Sequence, residues 1–437
     1  MVLHWFRRDL RLEDNHALSS ACQYSKERGS HVQCIFIFDS NILSELENPR
    51  DRRVAFIHAE LQRIQFELAQ QGAQLWVVYG DPIVWHTRWS EDPSVEALFA
   101  NRDYEPYAGL RDTSVAQLYA EKGKPCKWVK DHVLMEPHEV LKEDRTPYLV
   151  FTPYARKWKS LLPPEGLAAF PDAKGPWSPP SPAYTFPSLE DLGFQACSLA
   201  IPSREIPMDV LAHYKETRDF PGEAGTSRLS VHLRFGTRSI RSLARSAYPT
   251  HETYVNELIW RDFYQMILKH FPQCPDKAIK PAYDHIRWEN NTEHFASWCQ
   301  GETGYPLVDA GMRELNETGF MHNRVRMVVA SFLTKHLLLD WRLGAAYFAA
   351  KLLDFDLASN VGGWQWASGS GCDAAPYFRI FNPSSQMERF DKAAVYVKKW
   401  VPEYGTSTYP VPIVDHKMAR ERALFRYKEG LSFASLM

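Results

Sequence analysis

The stretch Asn360–Pro383, NVGGWQWASGSGCDAAPYFRIFNP, mixes small residues, aromatics and an acid in a proportion that no ordinary core helix needs. Gly362, Gly363, Gly369 and Gly371 each weaken a helix interior by roughly 1 kcal/mol, yet they let backbone and rings approach something bulky. Trp364 and Trp366 are two apart, so on a helix they face different directions and can serve different jobs. With Asp373 among them, these residues read as a binding surface rather than as glycine-interrupted core.

Upstream, Thr318–Trp341 (TGFMHNRVRMVVASFLTKHLLLDW) opens an apolar helical pattern with His322, Asn323, Arg324 and Arg326 bunched together. Buried polar groups need partners. Asn323 and Met327 are four apart, so one helical face presents an amide beside a soft thioether. In Asn256–Tyr264 (NELIWRDFY), Glu257, Trp260, Arg261 and Tyr264 share one stripe, with Leu258, Ile259 and Phe263 toward the other side. Three such stripes imply one shared site.

A chain of 437 residues exceeds the ~250–300 residues at which single cores stop growing, so two domains are expected. From Met1 to Val133 the apolar runs VLHWF, VQCIFIF, LWVVYG, EALFANRDY and CKWVKDHVL alternate with helical stretches, which predicts a parallel sheet covered by helices. No GxGxxG follows the first strand, so a dinucleotide bound in the usual way is not expected there. Residues 134–207 read as a linker. Prolines are dense from Pro147 to Pro207, so no packed helix or sheet is expected, and Trp158, Phe170, Trp177 and Phe186 are expected to hold the segment against both domains. Residues 208–437 read as all-helical, with no internal repeat.

The formal net charge of −2 gives no global attraction to nucleic acid, so DNA binding would need a local patch such as Arg218, Arg324, Arg326 and Arg379. Fourteen tryptophans supply rings suited to stacking and to passing electrons. The seven cysteines are scattered, which points to reduced thiols in a cytoplasmic protein and against zinc or an iron–sulfur cluster. No signal peptide is visible, and no run approaches the ~20 apolar residues that span a bilayer.

GTSRLS (Gly225–Ser230), NELIWRDFY, TGYPLVDAGMRELNETGFMHNRVRM (Thr303–Met327), the stretch from Asp356 to Pro383 and the opening LHWFRRDLRLEDN together resemble the photolyase and cryptochrome family. The resemblance spans Val2 to about Tyr427 and is strongest to the class I cyclobutane pyrimidine dimer photolyases. Several long motifs in a fixed order are far more specific than one glycine fingerprint.

The resemblance implies a Rossmann-like α/β antenna-binding domain (1–133), an interdomain linker (134–207) and an all-α FAD- and DNA-binding catalytic domain (208–437). It implies FAD in a folded, U-shaped form. Thr226, Ser227, Arg228, Leu229 and Ser230 map to its phosphates and Tyr214 to a nearby contact; from the residues alone, GTSRLS could equally be a capping segment. Arg326 is expected to pair with Asp354 beside the isoalloxazine, Asp356 to accept from ring N–H groups, and Asn360 to face flavin N5, where an amide can both donate and accept. An aspartic acid there, as in plant cryptochromes, would favour a different redox cycle.

For the substrate, Glu257, Trp260, Asn323, Arg324, Met327 and Trp366 match the class I pocket. Trp260 and Trp366 would wall a flipped-out dimer, each base–aromatic contact being worth about 1–3 kcal/mol. Glu257 and Asn323 would bond its edges, with Met327 against the ring face; Glu257, Asn323, Met327 and Asn360 are the expected catalytic residues. Arg218, Arg261 and Gln386 complete the expected DNA contacts. Relatives acting on (6-4) photoproducts present a histidine pair, whereas His322 is followed here by Asn323. Trp288, Trp341 and Trp364 match the chain that carries electrons to oxidised flavin.

The implied activity is a light-driven lyase acting on pyrimidine dimers in DNA through excited reduced FAD, as a monomer. The alternatives are a cryptochrome-type blue-light receptor, although a chain that ends soon after its last matched segment is expected to lack a long signalling tail, and a flavin-dependent dark oxidoreductase, for which no nicotinamide site is visible. A second, antenna chromophore is expected. Glu105 and Cys274 match folate contacts of some relatives, but the histidine expected in SNILSELENPRDRR (Ser40–Arg53) is missing. Methenyltetrahydrofolate, a deazaflavin or a second flavin remain open.

Overall fold

Strands β1 (Val2–Phe6), β2 (Val32–Asp39) and β4 (Ala97–Asn101) are buried at every position, the pattern of strands covered on both faces. With β3 (Leu75–Gly80) and β5 (Cys126–Val129) they form one sheet in the order β3-β2-β1-β4-β5. Every pairing is parallel, and Val2 lies opposite both Val32 and Ala97. Parallel neighbours need crossovers, supplied by α1 (His16–Arg28), α2 (Arg52–Ala69), α3 (Pro82–Glu91) and α4 (Pro106–Glu121). Asn15, Asp51 and Asp81 cap the first three with side-chain oxygens, each worth about 1 kcal/mol over alanine. The computed structural model describes residues 1–162, 164–374 and 376–434.

The chain forms two compact units. The first holds the sheet and comprises Met1–Glu139, Ser160–Glu205 and Leu229–Thr250. Strand order reverses between β1 and β4, where the carboxyl ends of an open sheet leave a crevice. The loops there carry many charges, all of these paired: Arg8 with Asp103 (3.1 Å) and Glu105 (2.9 Å), Arg11 with Asp131 (2.7 Å), and Asp14 with Arg241 (3.0 Å) of the helix Ile240–Ala247. A separate cavity of about 250 Å3 is lined by Leu43, Leu46, Pro49, Tyr79, Leu192 and Phe194 among others.

The second unit comprises Val140–Lys159, Ile206–Arg228 and His251–Met437. Its helices include α5 (Phe151–Leu161), α6 (Glu252–His270), α7 (Pro306–Thr318), α8 (Asn323–Ser331), α9 (Trp341–Lys351), α10 (Leu357–Ser368) and α11 (His416–Ala434). Val325, Phe332, Trp341, Phe348 and Trp364 share its main core. After α8 the chain widens into a π-helical turn, Phe332–His336. Within that turn Lys335 is fully buried: its Nζ donates to Ser368 O at 2.9 Å and sits 3.6 Å from the ring centroid of Tyr427 on α11.

Two boundaries differ from the sequence expectation. Helix α5 forms inside the proline-dense region because Pro153 falls in its first turn, where no N–H is needed. Tyr154, Ala155 and Trp158 give it a buried face, and Trp158 Nε1 donates to buried Asp262 on α6 at 3.0 Å. Residues 134–207 are therefore divided: Val140–Lys159 packs with the helical unit and Ser160–Glu205 with the sheet unit. Leu229–Thr250, expected in the helical domain, also belongs to the sheet unit, where Phe235 packs on Phe56 of α2 at 5.2 Å. Among the described residues no helix is long and apolar enough to cross a membrane.

Candidate functional site

Helix α6 sorts its residues as the sequence pattern predicts. Leu258, Ile259 and Phe263 are buried, whereas Glu257, Trp260, Arg261 and Tyr264 are half-buried along one stripe. Trp260 stacks flat on Phe151 of α5, with centroids 3.8 Å apart and planes 2° from parallel, and lies 5.4 Å from Tyr264. Glu257 accepts from the Arg218 guanidinium. Burial pushes the Glu257 carboxyl above its usual pKa, opposed by the positive charge of Arg218. Arg218 in turn lies 5.4 Å over the ring of buried Tyr214.

Helix α8 brings the second stripe. His322 caps it, its Nδ1 accepting from the Arg324 N–H at 3.1 Å. Burial lowers the His322 pKa to about 4, so the ring is neutral at pH 7 and keeps the lone pair that the cap needs. Asn323 is exposed and Met327, one turn on, is half-buried. Arg324 donates to Asp219 at 2.7 Å and lies 4.4 Å over Phe390. Arg326 donates to both oxygens of buried Asp354, at 2.9 and 3.1 Å, and through Nε to Met321 O at 2.7 Å.

Helix α10 carries the third. Asp356 caps it, accepting from the Ser359 N–H at 3.0 Å and from Gln265 Nε2 of α6 at 3.1 Å. Asn360 donates to Ala345 O of α9 at 3.0 Å. Its glycines do different jobs. A Cβ on Gly362 would lie 2.2 Å from the Tyr264 ring, so glycine here lets α10 meet α6, while Gly363 faces open space. Trp364 is buried, 5.0 Å from Phe348 and pressed against Gly344 of α9, where a Cβ would lie 2.0 Å from its ring. Trp366 is half-buried near Phe381, at 6.3 Å. Trp341 and Trp364 lie in one core cluster, with Trp288 packed against it.

The remaining sequence-predicted residues are more dispersed. Thr226 and Ser227 are half-buried, and Ser227 Oγ accepts from Tyr254 at 3.3 Å. Arg228 holds a left-handed backbone, with φ of 53°, and its guanidinium lies 4.3 Å over Phe320. Leu229 and Ser230 fall in the sheet unit, Ser230 opening a short helix. Gln386 is half-buried and Arg379 exposed. Glu105 pairs with Arg8 and, at 3.5 Å, with Arg234; Cys274 is buried, which pushes its thiol pKa up to about 12.

Three contributors escape the sequence reading. Gln265 left a signal, an amide at a fully buried register of α6. Phe151 and Asp219 left none, because each meets its partner only through the fold.

Residues 2–174 match the family described as DNA photolyase, and residues 254–407 match the FAD binding domain of DNA photolyase. The deoxyribodipyrimidine photo-lyase of a Synechococcus species is 36% identical, covering 98% of this chain and 96% of that protein. The solved class III photolyase from Agrobacterium tumefaciens superposes with a TM-score of 0.84 at 32% identity, covering 98% of this chain and 97% of the other. An archaeal photolyase from Sulfolobus tokodaii, solved with two FAD molecules, gives 0.81 at 31% identity, covering 98% and 99%.

Proposed function

The chain belongs to the DNA photolyase family, and from that premise we propose that it is a deoxyribodipyrimidine photo-lyase, repairing cyclobutane pyrimidine dimers in DNA under light. The observation that carries this reading is the full-length likeness to proteins of that name, at 36% identity over 98% of the chain.

The helical unit fits FAD chemically. Gln265 Oε1 and Trp364 Nε1 are buried polar atoms without partners, the first on α6 beside Asp356 and the second on α10, which Asp356 caps and which carries Asn360. A ring edge carrying both N–H and C=O groups suits such a set. Reduced FAD, when bound and excited, supplies the electron that opens the cyclobutane ring and recovers it afterwards. Arg326, held by Asp354 and Met321 O, fixes a positive charge beside the ring system, and Asp356, oriented by Gln265, accepts from its N–H groups. Asn360, tethered through its NH2 to Ala345 O, keeps its amide oxygen free of rotation. Tyr214, Thr226, Ser227 and Arg228 of the helical unit are assigned to the rest of the cofactor.

On the substrate side, Trp260 and Trp366 stack on the flipped bases and exclude water. Glu257 and Asn323 bond the pyrimidine edges, and Met327 packs on the ring face. Burial raises the Glu257 pKa while its pairing with Arg218 favours the carboxylate, which can accept from a pyrimidine N–H. Arg218, Arg261, Arg324 and Gln386 hold the DNA strand. Trp288, Trp341 and Trp364 restore the reduced flavin from the surface. An antenna chromophore belongs to the sheet unit, where Glu105 is already engaged by Arg8 and Arg234. The enzyme acts as a cytoplasmic monomer.

Illumination of the FAD-loaded protein with DNA carrying cyclobutane dimers tests the reading. Light-dependent return of normal pyrimidines is expected. Flavin photoreduction without repair would instead place the chain with the blue-light receptors.

A further inference from the structure

Asp373 lies in the glycine- and aromatic-rich stretch Asn360–Pro383 but is none of the residues assigned to cofactor or substrate. It follows α10, seven positions past Trp366, and holds a left-handed backbone with φ of 48°. A bulky or β-branched residue would be strained there, whereas Asp and Asn tolerate it. Its N–H donates to Leu149 O at 2.9 Å. Its half-buried carboxylate lies close enough to the Phe151 N–H for that dipole to favour its charged form. Asp373 thus meets the chain just where α5 begins, through its backbone at Leu149 and its carboxylate beside Phe151.

Phe151 is the residue that covers Trp260. Phe151 and Trp260 are stacked at 3.8 Å and 2°, so one face of the indole is committed to Phe151 and cannot stack on a base. Phe151 also meets Phe263 edge-on at 6.0 Å, and Trp158 of the same helix is bonded to Asp262 at 3.0 Å, which fixes α5 against α6. The second link between the walls is Gly362, whose backbone meets Tyr264 beside Trp260.

From this we infer that Leu149–Phe151 is a brace between the two tryptophans, with Phe151 and Asp373 acting as positioning residues that set the gap for the paired bases. The inference rests on the photo-lyase reading and adds to it the part that fixes the pocket's width. Trp260 is carried by α6 and Trp366 by α10; without a brace each ring could rotate away when the lesion is absent. With it, the free face of Trp260 is held in register with the loop that follows Trp366. Two covalently joined pyrimidines form a body of fixed shape, so a preset gap favours them over two unjoined bases and reduces the ordering cost at binding.

The test measures dark affinity for dimer-bearing and undamaged duplexes, using FAD-loaded full-length protein. A wild type without preference for the dimer would overturn the photo-lyase reading itself. Given that preference, Phe151→Ala should weaken dimer binding about three- to tenfold, the scale of one aromatic pair, while undamaged DNA binds as before. Phe151→Tyr should restore wild-type affinity and Phe151→Leu should not. The double variant Phe151→Ala/Trp260→Ala should bind the dimer no more weakly than Trp260→Ala alone, because Phe151 acts only through that ring. Asp373→Ala should lose preference in the same direction, and Asp373→Asn should keep it. Photoreduction of bound FAD reports folding; if Phe151→Ala fails it, the Leu and Tyr variants decide in its place. Additive losses in the double variant, full affinity with Phe151→Leu or Asp373→Ala, or equal loss on both DNAs would each overturn the brace.

Discussion

Trp364 and Trp366 stand two residues apart on α10, yet their surroundings have little in common. Trp364 is buried among rings, with Phe348 at 5.0 Å, Trp298 at 6.1 Å and Gly344 pressed against it. Trp366 is half-buried, with Phe381 at 6.3 Å, and is proposed to line the lesion pocket with Trp260, Glu257 and Asn323. Two residues turn a helix by about 200°. One element can therefore wall a dry aromatic route from a wet, polar pocket, and the two can be changed independently.

Four experiments bear on that separation. The largest effect is expected from Trp364→Phe, which should reduce photoreduction of oxidised FAD to background while chemically reduced enzyme still repairs dimers. Equal loss of both activities would erase the distinction between the two rings. Next is Trp260→Ala, which removes one stacking contact of about 1–3 kcal/mol. Titration should show a large loss of dimer affinity with undamaged DNA and the salt slope unchanged; loss on both DNAs would take Trp260 out of the lesion pocket.

Arg324→Ala should act more weakly and without discrimination. Its guanidinium already serves Asp219 at 2.7 Å, so affinity for both DNAs should fall together and the salt slope should drop by about one. A lesion-specific effect would move Arg324 from the strand to the dimer. The smallest effect concerns Glu257, whose folded-state pKa is raised. Between the ordinary value near 4.3 and the raised one, the folded chain binds more protons than the unfolded chain, so this carboxyl destabilises the fold progressively as pH rises through that window. Denaturant unfolding at several pH values should show Glu257→Gln gaining on wild type across that window; parallel curves would mean that Arg218 cancels the effect of burial.

The sequence carried the strands, the α6 stripe and the Arg326–Asp354 partnership, because each is encoded by local periodicity or by an ordered motif. Their roles came from the resemblance, since periodicity alone cannot tell a lesion pocket from a salt-bridged helix face. Helix α5 was hidden by prolines, although Pro153 sits where a helix accepts one. The glycines of the opening stretch suggested a ligand, and the fold assigns Gly362 to Tyr264 instead. Phe151 was out of reach for a different reason: its stack on Trp260 joins distant parts of the chain, and pairwise contact of that kind leaves no trace in composition or spacing.

Lys335, set in the π-helical turn between Ser368 O and the Tyr427 ring, has a consequence for calorimetry. Burial pushes its pKa well below the exposed value, which is about 10.4 in an unfolded chain. Between those two values unfolding draws a proton from the solvent, and stability climbs with pH across the interval. The heat of melting should then depend on which buffer donates that proton, more in an amine buffer than in phosphate. In Lys335→Met the difference between the two buffers should shrink by the share of that one proton.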